Sequence, residues 1–199
     1  MNIRAAMAFV VLLLTASAVW AAGNMGTEED NRVLALVVKQ SYKDGGYTVV
    51  NPETGLSHFF YHDADADEIR RSKQYIAKNL QTNGIVVTEL VDRLFERNKK
   101  PVRLTLKSSP QDGYVMNFDS EYAKYFKDNG GGWEKWYKEN PKAHGRTTVS
   151  LPVYDQKTGL LLVYMGTQWH WLAGEGWVIL YKYEKGKLKE INKVMMWIS

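Results

Sequence analysis

The chain has 199 residues, a formal net charge of +4 and no cysteine. Without cysteine, disulfides, thiolate metal sites and thiol nucleophiles are excluded. The longest basic run, Asn98-Lys99-Lys100 with Arg103 beyond Pro101, is too short for a nucleic-acid footprint, so no nucleic-acid partner is expected.

Residues 1–21 read as a secretory signal peptide. Arg4 supplies a basic start, Ala5 to Ala18 is almost wholly apolar, and Val19-Trp20-Ala21 offers small residues where a signal peptidase reads. Cleavage is expected after Ala21 or Ala22. A retained anchor helix is the rival reading, but the apolar run is short for a span of ~20 residues. The expectation is therefore an exported protein, periplasmic or extracellular, with no membrane span once the signal is removed. Residues 25–199 then form one domain, whose seven Trp, twelve Tyr and six Phe supply a core held by packing alone.

Thr27-Glu28-Glu29-Asp30 predicts a helix start, and Leu34, Val37, Val38 and Tyr42 continue it at helical spacing up to Gly45-Gly46. Tyr47 to Asn51 and Leu56 to Tyr61 read as a hairpin across Pro52-Glu53-Thr54-Gly55. The polar stretch from His62 to Glu68 leads into a second helix over about 65–80. A third helix carries the clearest stripe, Val87, Leu90, Val91, Leu94 and Phe95, and ends before Pro101. Val102 to Lys107 alternates as a short strand, with Val102, Leu104 and Leu106 on one face. A short helix through Phe126 and a Trp-rich one after Gly130-Gly131-Gly132 follow.

The last quarter reads as a four-stranded antiparallel meander from Thr147 to Ser199. Its first strand runs to Asp155, with Pro152 forcing an edge or a bulge. Leu160 to Thr167 is apolar on both faces and so is expected to be central and covered on both sides. Trp169-His170-Trp171-Leu172-Ala173-Gly174-Glu175-Gly176 reads as a loop, Trp177 to Glu184 alternates again, and Lys185-Gly186 turns the chain into the closing strand. The fold class expected is α+β, with helices packed on a mainly antiparallel sheet.

Trp133-Glu134-Lys135-Trp136-Tyr137, Asn140-Pro141, Gly145, Ser150, Leu162-Val163-Tyr164, Gly174-Glu175-Gly176 and Trp197-Ile198-Ser199 together resemble an uncharacterised family of exported bacterial proteins. That family has a Trp-rich helix leading to a meander with a glycine loop and a terminal tryptophan. The resemblance implies export and an α+β fold but no activity. Members often carry cysteines beside the glycine loop, where this chain has Trp169, His170, Trp171 and Leu172.

Three constellations could carry chemistry. Asp63, Asp65 and Asp67 alternate like a calcium loop, but Glu68 stands where Gly is needed and Gln74 where a bidentate Glu is needed. Helix capping is the plainer use of these acids. His58 and His62 lie in a predicted strand, ~13 Å apart at the usual rise, too far to share a metal. The Trp133, Trp136 and Tyr137 group could stack a sugar or peptide, though helical spacing favours core packing. The Trp169–Gly176 loop is the strongest candidate. Trp169, His170, Trp171 and Glu175 are expected to form a recognition surface for a protein or small ligand. An acid–base enzyme pairing His170 with Glu175 is the alternative. No catalytic motif is complete, so no catalytic residue is assigned; no metal and no cofactor are expected.

Overall fold

The computed structural model describes residues 26–42, 45–56, 64–81, 84–107, 110–117, 121–126 and 132–199. The signal segment, Asp63, His58 and His62 lie outside the described residues.

Among the described residues four α-helices flank a mixed sheet of seven strands. Helix α1, Glu28–Ser41, starts at a capping box: Thr27 Oγ1 accepts from the Asp30 amide at 3.1 Å and the Asp30 carboxylate accepts from the Thr27 amide at 2.9 Å. Helix α2, Ala66–Leu80, starts at a second box made by Asp65 and Glu68, so these two acids of the polar stretch serve as caps. Helix α3, Thr88–Arg97, buries Leu90, Val91, Leu94 and Phe95, the stripe predicted from periodicity. Helix α4, Gly132–Glu139, buries Trp133 and Trp136. Among the described residues no helix is long and apolar enough to cross a membrane.

The strands are β1 (Tyr47–Val50), β2 (Tyr114–Met116), β3 (Ala143–Val149), β4 (Val153–Asp155), β5 (Leu160–His170), β6 (Ala173–Glu184) and β7 (Lys187–Ile198). Their order is β2-β1-β3-β5-β6-β7, with β4 pairing the start of β5. The ladders from β3 to β7 are antiparallel, and β5, β6 and β7 form a meander.

Strand β5 is covered on both faces, as its composition demands. Leu160, Leu162 and Tyr164 pack with Val178, Leu180 and Val194 under α2 and α3. Leu161 and Val163 pack with Ile179, Tyr181 and the α1 residues Leu34, Val37 and Val38 on the other face. A smaller aromatic core gathers Tyr125, Trp133 and Trp136 against Val49 and Ala143.

Three expectations need correction. Strand β1 pairs in parallel with β2 on one side and with β3 on the other. Both its edges are taken, so it has no free edge for an antiparallel partner from Leu56 onward; Leu56 is not in a strand, and residues 57–61 of that predicted strand lie outside the described residues. The stretch after Pro101 keeps the predicted alternation, with Leu104 and Leu106 buried, but forms only a single bridge, Arg103 to Glu53. Its other backbone groups go to isolated partners such as the Asn31 side chain, which accepts from Thr105 at 3.1 Å. Finally, the strand predicted from Thr147 to Asp155 begins earlier and is broken at residues 150–152. The break changes the strand's facing: Val149 joins the α1 core and Val153 the α2–α3 core.

Candidate functional site

The predicted loop is a hairpin tip. β5 and β6 stay paired out to His170 and Ala173, and only Trp171 and Leu172 form the turn. The glycines do not loosen the chain; they make room. Trp197 of β7 lies across β6, and a Cβ at Gly176 would sit 2.0 Å from its indole nitrogen. A Cβ at Gly174 would come within 2.9 Å of the same ring. The indole thus rests on a bed of bare backbone, and its N–H donates to the Tyr164 hydroxyl at 2.9 Å.

Length explains why the tip reaches past the end of α1. Helix α1 has 14 residues and spans about 21 Å at 1.5 Å per residue. Strand β5 has 11 residues and spans about 36 Å at ~3.3 Å per residue. The helix starts beside Tyr183, where Arg32 donates to the phenol at 2.7 Å, and ends beside Thr167, whose hydroxyl lies 2.8 Å from that of Tyr42. Beyond Tyr42 the sheet runs on past the end of α1.

That end of the sheet holds a cleft of about 430 Å³. Met165, Thr167, Glu175 and Trp177 form its floor, with Trp169 at the tip side. Tyr42, Tyr137 and His144 form the walls. The His144 ring stacks on Tyr42 at 5.4 Å between centroids. It also lies against Gly46, where a Cβ would be 1.8 Å from Nε2. Tyr137 donates to the Trp169 carbonyl at 2.8 Å, tying α4 to the tip. Burial, with Tyr42 nearby, holds the Tyr137 phenol above its usual range, so it remains a donor.

Under the cleft runs a line of hydroxyls. Tyr42 reaches Thr167 at 2.8 Å and Thr147 at 3.2 Å; Thr147 reaches Thr167 at 2.9 Å and Thr48 at 2.6 Å; Thr48 donates to the Gly145 carbonyl at 3.0 Å. These residues meet because β1, β3 and β5 are adjacent and Thr147 stands opposite Thr167 in the ladder.

The four residues singled out in the sequence separate here. Trp169 and Glu175 line the cleft. Trp171 turns toward the aromatic core, edge-on to Phe126 at 5.8 Å and to Trp133 at 6.3 Å. His170 is exposed beside a register shift in the hairpin and is not part of the cleft lining. Trp169 and Trp171 keep 37% and 43% of their surface, so the tip does present aromatic area to solvent. Trp133 and Trp136, by contrast, are buried core, which removes them as an exposed stacking platform. Their indole N–H groups and the Arg146 Nε are buried around the Phe126 ring, without a hydrogen-bond partner among the described residues. Arg146 makes a cation–π contact there at 5.1 Å, and burial pulls its pKa down.

Tyr42, His144 and Thr167 were not singled out from the sequence, and Tyr137 was singled out only in a group with Trp133 and Trp136. Tyr42 was visible only as the end of a helical stripe, and nothing local marks His144. Among the described residues no group of three or more His, Asp or Glu side chains is placed to hold a metal ion. No protein-family profile, curated protein or solved structure matches this chain.

Proposed function

We propose that this is an exported, non-enzymatic binding domain whose ligand site is the cleft beneath the β5–β6 tip. One observation carries the reading: the exposed Trp169 and the Glu175 carboxylate line the same concavity, with aromatic walls and a polar floor. Ligand sites combine such apolar faces with a few placed polar groups. The volume suits a small molecule or a single side chain of a partner rather than a protein surface. Trp171 braces the tip, and Trp169 makes the contact. Acid–base catalysis by His170 and Glu175 finds less support, because His170 stands outside the cleft that Glu175 lines.

A thermal-shift screen of small amines, sugars and aromatic compounds tests this. Compounds that raise the Tm of the wild-type protein are expected to lose that effect in Trp169→Ala. They should keep it in Val86→Ser, which alters an exposed apolar residue away from the cleft. Compounds that stabilise wild type and Trp169→Ala equally would place the site elsewhere.

A further inference from the structure

The proton inventory of the cleft says which ligand it takes. Thr48 spends its proton on the Gly145 carbonyl, which can only accept. Its contact with Thr147 at 2.6 Å must then use the Thr147 proton. Thr147, Thr167 and Tyr42 form a triangle with three contacts, and only the Thr167 and Tyr42 protons remain to fill it. Both are drawn inward. Tyr137 spends its proton on the Trp169 carbonyl, and Ser41 donates to the Val37 carbonyl at 3.1 Å. All four hydroxyls that line the cleft, those of Ser41, Tyr42, Tyr137 and Thr167, therefore offer it only lone pairs.

The charges agree in sign. Glu175 lines the cleft as a carboxylate, and among the described residues no Lys or Arg is part of the lining. Ser41 and Tyr42 are the last residue and the C-cap of α1, so the negative end of a 14-residue helix dipole opens onto the same space. The rings of Tyr42, Tyr137, Trp169 and Trp177 line the same space, and the face of an aromatic ring attracts a cation. Trp177 already holds a cation on one face, the Lys193 ammonium at 4.6 Å from the ring centroid. The groups that speak for an acceptor ligand are the indole N–H donors of Trp169 and Trp177, and these serve a hydroxyl or carbonyl on the same ligand equally well.

We infer that the cleft binds a small organic cation, an ammonium group carried on a body with at least one polar atom. This rests on the proposal that the cleft is the binding site. The ammonium sits against Glu175 and the aromatic faces, and its hydrogen-bond donors, or a neighbouring hydroxyl, meet the lone pairs of Tyr42 and Thr167. Burying that charge is tolerable because a carboxylate, a helix terminus and π faces replace its water.

The test uses choline and its neutral isostere 3,3-dimethylbutan-1-ol, titrated into the full domain and followed by calorimetry or tryptophan fluorescence. Choline is expected to bind at least about tenfold more tightly than the alcohol. Glu175→Gln, which keeps the shape, should weaken choline about five- to tenfold and leave the alcohol unchanged. Lys193→Met should tighten choline by removing a competing cation. Equal affinity for the two probes, or choline affinity indifferent to Glu175→Gln, overturns the cation assignment, as does no response to choline at all. If both probes bind equally and both are lost in Trp169→Ala, the cleft stands as a site and only the charge preference fails. If binding survives Trp169→Ala, the site itself is misplaced.

Discussion

Gly176→Ala is expected to lower the unfolding free energy by about 2–4 kcal/mol, combining overpacking with loss of a half-buried hydrogen bond. That corresponds to a Tm lower by roughly 5–15 °C for a chain of this size. The added methyl would sit 2.0 Å from the Trp197 indole nitrogen, so the ring must leave its bed. Its hydrogen bond to Tyr164 goes with it. The same ring also lies over Gly174 and Gly166, where an added Cβ would be 2.9 and 3.2 Å from it. The mechanism has a second signature. In the double variant Gly176→Ala with Trp197→Leu, the cost of the methyl should largely vanish relative to Trp197→Leu alone, because the clash has no partner left. Additive losses in a urea-unfolding cycle would mean that glycine at 176 is needed for some other reason.

Asn98→Ala is expected to cost about 3 kcal/mol, since each buried backbone group left unpaired costs ~1–3 kcal/mol. Asn98 is the buried residue that caps α3 and repairs the break between β3 and β4. Its side-chain amide imitates a strand: Nδ2 donates to the Leu151 carbonyl at 3.0 Å and Oδ1 accepts from the Leu151 amide at 2.7 Å. It also donates to the Leu94 carbonyl at 2.9 Å. Beside it, Arg97 donates to the Pro152 carbonyl and to the buried Asp30 at 2.6 Å, fastening the same break to α1. Asn98→Asp should be no better than alanine, because it deletes the donors and buries a charge. Urea unfolding of both variants checks this. A loss under 1 kcal/mol in Asn98→Ala would show that Leu151 finds other partners.

These two residues show why some of the fold was legible in the sequence and some was not. Features written in local spacing were readable. Thr27 and Asp30 announced α1, Leu90-Val91 with Leu94-Phe95 announced α3, and the unbroken apolar run from Leu160 announced a strand covered on both faces. Features that depend on a distant partner were not. Gly174-Glu175-Gly176 looks like a flexible loop until Trp197, more than twenty residues on, is seen lying across it. The three-residue strand β2 exists because β1 offers it an edge. Val149 and Val153 share a parity in the sequence yet face opposite cores, because Asn98 and Arg97 hold the chain out of register between them. For the site, Trp169 and Glu175 were readable as members of one aromatic, glycine-bracketed segment. Their partners Tyr42, Tyr137, His144 and Thr167 come from α1, α4, β3 and β5, and only the strand order brings them together. The expected role of His170 passed to no clear successor, although His144 is the imidazole that lines the cleft.

The placement of the ligand is tested most directly by following the indole and backbone N–H resonances of the isotope-labelled protein while a compound selected by thermal shift is added. The signals of Trp169 and Trp177 are expected to move progressively with ligand, and those of the buried Trp133 and Trp136 to stay in place. Stationary Trp169 and Trp177 signals, with shifts instead at Lys73 and Asp92 in the groove between α2 and α3, would contradict a binding site beneath the tip.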